Sequence, residues 1–133
     1  MSGRRALLVG ATGLTGSHLL PRLMADGRYR RIHVLSRRPL AQQDDRLHTH
    51  VMDFGHLAAG QAAFHVDDVY CCLGTTIRQA GSRERFRQVD YHYPMLVARA
   101  AQAAGAETFV VISAMGADPR SSSFYLRTKG ELE

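Results

Sequence analysis

Apolar residues fall along this chain in two rhythms, short unbroken or alternating runs and longer stretches at helical spacing. Ala6-Leu7-Leu8-Val9 is an unbroken run, and Leu19, Leu20, Leu23 and Met24 then recur at helical spacing up to Asp26-Gly27. Pro21 falls in the first turns of that helix, where it costs least. Arg31-Ile32-His33-Val34-Leu35-Ser36 suits a second strand. Strand, helix and strand within about thirty residues make a βαβ crossover, which implies parallel strands and a right-handed connection. Leu47 to Met52 alternates as a third strand ending at Asp53, with a helix expected near Gly55-His56-Leu57. Val66 to Leu73 is apolar enough for a central fourth strand, followed by a loop from Ile77 to Ser82. A long helix is expected from about Arg83 to Ala104. It buries Phe86, Val89, Tyr93, Leu96, Val97, Ala100 and Ala101 and turns Arg85, Gln88 and His92 elsewhere. Pro94 should kink it and Gly105 should stop it. Thr108 to Ser113 is almost wholly apolar, as expected of a parallel strand covered on both faces. A loop of small residues leads to a last helix from about Ser123 to the chain end. Five strands alternating with helices predict an α/β fold, a doubly wound parallel sheet of order 3-2-1-4-5.

Composition narrows the classes without naming a chemistry. The 133 residues suit a single domain, and 45% hydrophobic with 22% charged residues is an ordinary globular mixture. Arg4-Arg5 before Ala6-Leu7-Leu8-Val9 superficially resembles a signal peptide, but the apolar run is too short and no cleavage-type segment follows. No window approaches a membrane span, so a cytoplasmic protein without a membrane partner is expected. Cys71 and Cys72 are adjacent in an apolar run, which reads as two small core residues rather than a redox pair. His48 and His50 share a strand face without a carboxylate or cysteine at ligand spacing. They read as surface histidines, and no metal site is expected. The net charge of +5 comes from arginines spread along the chain, with no accompanying nucleic-acid motif. No nucleic-acid partner is expected, and an anionic cofactor accounts for part of the charge.

The first candidate site is the turn between the first strand and first helix, Gly10-Ala11-Thr12-Gly13-Leu14-Thr15-Gly16. Strand, glycine-rich turn and helix together hold a pyrophosphate: glycines admit the close backbone, and the helix start offers free N–H groups. Gly10, Thr12, Gly13, Leu14, Thr15 and Gly16 are the candidate contacts. The residue type after the second strand then selects the nucleotide. An acidic side chain there would take the ribose hydroxyls of NAD, whereas this chain has Arg37-Arg38, suited to the 2′-phosphate of NADP. NADP is therefore expected before NAD. Asp53 is placed to receive the adenine amino group or to cap the following helix. Leu73 and Gly74, at the end of the fourth strand, are placed to line the nucleotide.

A second constellation lies near the chain end. Ser113 closes the fifth strand, and Tyr125 and Lys129 share one helix face. Among 17 lysines and arginines, Lys129 is the single lysine, which asks what an ammonium does there. A neighbouring cation stabilises a phenolate, and a compact ammonium reaches ribose hydroxyls more readily than a guanidinium. A serine hydroxyl can hold a substrate carbonyl while the tyrosine exchanges the proton.

Gly10-x-x-Gly13-x-x-Gly16, Ser113 and Tyr125-x-x-x-Lys129 resemble the short-chain dehydrogenase/reductase superfamily. Cys71-Cys72-Leu73-Gly74-Thr75-Thr76, Val89-Asp90, Ser113-Ala114-Met115-Gly116-Ala117-Asp118 and Tyr125 to Glu131 are similar to its atypical branch of Tat-interactive oxidoreductase-like proteins. The resemblance implies a Rossmann fold, NADP(H) binding, a small carbonyl or alcohol substrate, and Ser113, Tyr125 and Lys129 in the catalytic positions. The superfamily often carries an asparagine on the long helix where this sequence has Asp90. Its members continue past the tyrosine–lysine helix into a substrate-binding portion. Residues 1–133 are thus expected to be a nucleotide-binding domain lacking that C-terminal portion, or else to have a partner or second copy over the fifth strand. A non-catalytic NADP(H)-binding regulatory or scaffold protein is the alternative function.

Overall fold

The computed structural model describes residues 3–53, 62–74 and 77–133. Five strands form one sheet: β1 (Arg4–Val9), β2 (Tyr29–Ser36), β3 (Leu47–Val51), β4 (Asp68–Cys71) and β5 (Thr108–Val111). Their order is β3-β2-β1-β4-β5, with every neighbouring pair parallel. This is the doubly wound, Rossmann-type order that the alternation of elements predicts. β2 and β4 flank β1 on opposite sides, so the strand order reverses there and a crevice opens beyond the carboxyl ends of the strands.

The sheet separates two cores. Leu7, Val9, Leu35, Val69 and Cys71 pack with Tyr93, Val97, Ala100 and Ala101 of helix α4 (Tyr93–Ala103). Ala6, Leu8, Ile32 and Val34 pack on the other face with Leu20 and Leu23 of helix α1 (Leu14–Ala25). Successive side chains of a strand point to opposite faces. Burial of both sets is why the first strand reads as an unbroken apolar run. Leu7 and Leu8 are each fully buried, worth about 1.5–3 kcal/mol apiece. The chain thus commits its register early: a one-residue slip would exchange the two cores.

The amino ends of the strands are tied by polar contacts remote from the crevice. Arg4 donates to both carboxylate oxygens of Asp68 at 3.0 and 2.8 Å, and also to Glu107 at 3.0 Å. Tyr29 Oη donates to Asp68 at 2.8 Å and lies 2.7 Å from Tyr70 Oη. The Arg4 guanidinium, chiefly, holds the Asp68 carboxyl below the usual carboxylate range. This network joins β1, β2 and β4 at one end and leaves the other end to the site.

His48 and His50 do share a face, but they are not isolated surface residues. His33 of β2 lies between them: its Nδ1 is 2.9 Å from His50 Nε2, and the ring centroids of His33 and His48 are 5.6 Å apart. Burial pushes the His33 pKa down to about 4, so it packs as a neutral side chain. Among the described residues no cluster has the arrangement to hold a metal ion.

Other elements depart from the expected pattern. The segment read as a loop contains a one-turn helix, α2 (Ile77–Ala80), too short to leave a periodic signature. The long helix is three joined pieces: α3 (Arg83–Arg87), a π-helical turn (Gln88–His92) and α4. The wide turn is placed so that Pro94 falls in the first turn of α4, where its missing N–H is not needed. Leu96 is exposed rather than buried, since it lies about 100° around the helix from buried Val97. β5 is an edge strand with Phe109 36% and Val110 46% exposed, so among the described residues nothing gives it the cover on both faces that its apolar run predicts, and it is instead the open edge expected if nothing covers it. The last helix, α5 (Phe124–Leu132), begins where Ser123 accepts a bond from the Leu126 N–H. No helix of the described residues is long and apolar enough to cross a membrane. The helix expected near Gly55-His56-Leu57, and Thr75-Thr76, lie outside the described residues.

Candidate nucleotide site

The turn after β1 is built on two glycines that admit no side chain. Gly10 has φ +89°, and a Cβ there would sit 2.7 Å from the Cys72 carbonyl. A Cβ on Gly16 would lie 1.9 Å from the Gly10 carbonyl oxygen. Gly16 therefore lets α1 begin directly against the turn. Gly13 is the N-cap of α1 and no side chain caps that end, so the first N–H groups are offered outward. Backbone donors thus stand at the positive end of a helix dipole, the geometry that suits an anion.

The predicted cofactor residues converge on this turn. Gly10, Thr12, Gly13, Arg37, Leu73 and Gly74 line a crevice of about 400 Å³. An adjoining hollow of about 230 Å³ is bordered by Ser36, Arg37 and Arg38, beside Ala11 and Thr12. A third, of about 450 Å³, is lined by Arg37, Val51, Met52, Asp53, Arg85 and Tyr93. Asp53 thus lies at the mouth of the site, as expected of a residue at the carboxyl end of β3. Leu14 and Thr15 are exposed on the first turn of α1, and Gly16 is buried beneath the turn. The sequence reading missed Arg85, Gln79 and Cys72, which also line the crevice. Helical periodicity turns Arg85 away from the buried stripe, yet it lines the crevice. The clue to its position is that it adjoins buried Phe86 in sequence, about 100° round the helix and so at the rim. Cys71 is buried and its thiol is pushed up to about 12 by that burial. Cys71 is thus an inert core residue, while Cys72 borders the crevice.

The second constellation is held by α5, which packs across α3 and the π-helical turn. The Tyr125 ring lies 5.3 Å and the Phe124 ring 5.9 Å from that of Phe86. Arg87 pairs with Glu131 at 3.1 Å. Gly130 packs so closely on the Asp118–Pro119 backbone that a Cβ would lie 2.4 Å from it. Lys129 is 2% exposed and donates to the carboxylate of fully buried Asp90. Its Nζ sits 5.7 Å from the centroid of the Tyr125 ring. A Cβ on Gly74 would lie 3.5 Å from Asp90 Oδ1 and 3.8 Å from Lys129 Nζ, so this ion pair lies against the wall of the crevice. The Ser113 hydroxyl donates to the Glu133 carboxylate. Tyr125 and Lys129 are thus brought together on one helix face, and Lys129 lies beside Gly74. Ser113 lies two residues past the end of β5, which stops at Val111, and bonds to Glu133 rather than to Tyr125.

Comparison with known proteins agrees with this architecture. Residues 6–127 match the model of the NAD dependent epimerase/dehydratase family. Protein HTATIP2 of Rattus norvegicus is 36% identical over 137 residues, covering 100% of this chain and 56% of that protein. Protein FMP52, mitochondrial, of Debaryomyces hansenii is 34% identical, covering 96% of this chain and 58% of that protein. The chain therefore spans little more than half the length of these curated relatives. Among solved structures, MoeE5 in complex with UDP-glucose and NAD superposes with a TM-score of 0.77 at 24% identity, covering 94% of this chain and 45% of that one. The UDP-N-acetylglucosamine 4-epimerase of Methanobrevibacter ruminantium gives a TM-score of 0.77 at 15% identity, covering 100% of this chain and 49% of that one. These likenesses are likenesses of fold. They also correct one expectation: several relatives are named mitochondrial, which conflicts with a cytoplasmic location. The physical reason is that the short apolar runs argue against a membrane span but do not tell one aqueous compartment from another. The order of the sheet, the glycine turn and the match across residues 6–127 place this chain in the NAD dependent epimerase/dehydratase family.

Proposed function

We propose that this chain is the cofactor-holding part of an NADP(H)-dependent oxidoreductase acting on a small carbonyl or alcohol substrate. The observation that supports it best is the arginine pair at the end of β2. Arg37 and Arg38 border the hollow beside the glycine turn, and among the described residues neither guanidinium has a hydrogen-bonding or ionic partner. Gly10, Gly13 and the start of α1 would hold the pyrophosphate, Arg37 and Arg38 the 2′-phosphate, and Asp53 the adenine. Leu73 and Gly74 would line the nucleotide from the β4 side. A bound nicotinamide supplies or accepts hydride. Ser113 would orient the substrate oxygen, and Tyr125 Oη would give it a proton or take one from it. Lys129 would supply the ammonium beside the tyrosine and reach the ribose.

One observation favours a second reading, an NADP(H)-binding regulatory or scaffold protein without turnover. Lys129 is engaged by Asp90 and Ser113 by Glu133, so both polar groups have partners other than Tyr125. A screen of carbonyl compounds with NADPH, following nicotinamide absorbance, separates the two. On the enzyme reading, wild type turns over and Tyr125→Phe loses at least about a hundredfold in kcat, the scale of a lost general acid. Turnover unchanged in Tyr125→Phe removes that tyrosine from the chemistry. Cofactor binding without turnover of any compound favours the second reading.

A further inference from the structure

We propose that Arg85 determines cofactor specificity, gripping the 2′-phosphate from the side of the crevice away from β2. This rests on the NADP(H) reading above and adds to it a residue from a different element. Arg37 follows β2, whereas Arg85 stands on α3, after β4, and those strands lie on opposite sides of β1. Both arginines line the crevice of about 400 Å³ and the neighbouring one of about 450 Å³, and no other described residue lines both. They form the shared wall between the glycine turn and the Asp53 end of the site.

The neighbours of Arg85 explain why it alone of its cluster turns inward. Arg83 stacks over Phe124 at 5.2 Å, and Arg87 stacks over Tyr91 at 4.3 Å while pairing with Glu131. Arg85 is half-buried, and its N–H is fixed by Ser82 Oγ at 3.1 Å at the start of α3. Its guanidinium donates to the side-chain oxygen of Gln88 and, at 3.4 Å, to Tyr93 Oη. Both acceptors are neutral, so they aim the fork without cancelling its charge.

Several of the chain's arginines meet carboxylates, among them Arg4 with Asp68 at 2.8 Å, Arg28 with Asp26 at 2.7 Å and Arg46 with Asp44 at 3.4 Å. Among the described residues, Arg37, Arg38 and Arg85 have no such partner, and Asp53 is the carboxylate lining these hollows. Arg37 shares two of these hollows with Arg85 and the third with Arg38. Like charges along adjoining hollows favour an anion there, and a dianionic phosphate accepts forked bonds from more than one guanidinium. The pyrophosphate already has the glycine turn and the start of α1. The remaining phosphate of NADP(H) is the one that distinguishes it from NAD(H).

Calorimetric titration of wild type, Arg85→Gln and Arg85→Lys with NADPH and with NADH tests this. The expected result is at least about a tenfold loss of NADPH affinity in Arg85→Gln, with NADH affinity changed less than about threefold. Arg85→Lys, which keeps the charge but loses the fork, falls between them on NADPH alone. Unchanged NADH binding also shows that α3 has kept its shape. Equal losses on both cofactors, or no loss on either, in a protein whose wild type prefers NADPH overturns the role of Arg85 and leaves the NADP(H) reading standing. Equal affinity for both cofactors in wild type overturns that reading itself, and the assignment of Arg85 with it.

Discussion

Gly16→Ala removes cofactor binding and destabilises the fold, whereas Gly13→Ala does neither to a comparable degree. The two glycines belong to the same repeat, yet their surroundings differ sharply. A Cβ on Gly16 would stand 1.9 Å from the Gly10 carbonyl oxygen and 3.0 Å from the Ala11 Cα. Both obstacles are backbone, so no rotamer change relieves them, and the start of α1 must move away from β1. Overpacking of this kind costs about 1–3 kcal/mol and sometimes more. Moving α1 also takes its first N–H groups away from the anion. Losing two charge-assisted bonds costs about 3 kcal/mol or more, roughly a hundredfold in affinity. Gly13 has ordinary extended backbone, and its Cβ would meet nothing closer than 3.6 Å. Gly13→Ala should stay within about 1 kcal/mol of wild type in stability, the scale of an N-cap change. Urea denaturation and NADPH titration of both variants give the comparison. Equal behaviour of the two would show that Gly16 is not the contact point of helix and turn.

Asp90→Ala is the second large effect, and it acts through Lys129. The carboxylate is fully buried and the ammonium 2% exposed, so removing one partner strands the other charge in the interior. Breaking a buried pair in this way costs about 3–5 kcal/mol. Asp90→Asn keeps the shape and an acceptor oxygen and should cost clearly less. Replacing both partners, Asp90→Leu with Lys129→Met, should recover much of the loss, because no charge is then left unpaired. A double variant as unstable as the sum of its single variants would mean that the pair is not the source of the cost.

Much of the fold was legible because its physics is local. β1, buried on both faces, shows as an unbroken apolar run, and the glycine turn between β1 and α1 announces its own geometry. The order β3-β2-β1-β4-β5 then follows from alternation of strands and helices with right-handed crossovers. The candidate crevice was legible where it lies at strand ends: Gly10, Arg37, Asp53 and Gly74 all border its hollows. What periodicity could not show were the places where the helix changes type. The one-turn helix Ile77–Ala80 and the π-helical turn Gln88–His92 bracket α3, and together they put Arg85 in the crevice wall. The pairing of Lys129 with Asp90 joins residues 39 apart in sequence, and no spacing rule reaches that far. The exposure of Phe109 and Val110 agrees with the open apolar edge expected of the fifth strand, although the run itself reads as a strand covered on both faces. An edge strand and a central strand have the same composition until their neighbours are counted.

On the proposed function, the crevice beside the glycine turn holds NADP(H) through its 2′-phosphate. Calorimetric titration of wild type and of the Arg37→Ala/Arg38→Ala double variant with NADPH and NADH tests it most directly. Wild type is expected to bind NADPH at least about tenfold more tightly than NADH, and the double variant to lose this difference while still binding NADH. Equal affinity of wild type for the two cofactors would contradict it.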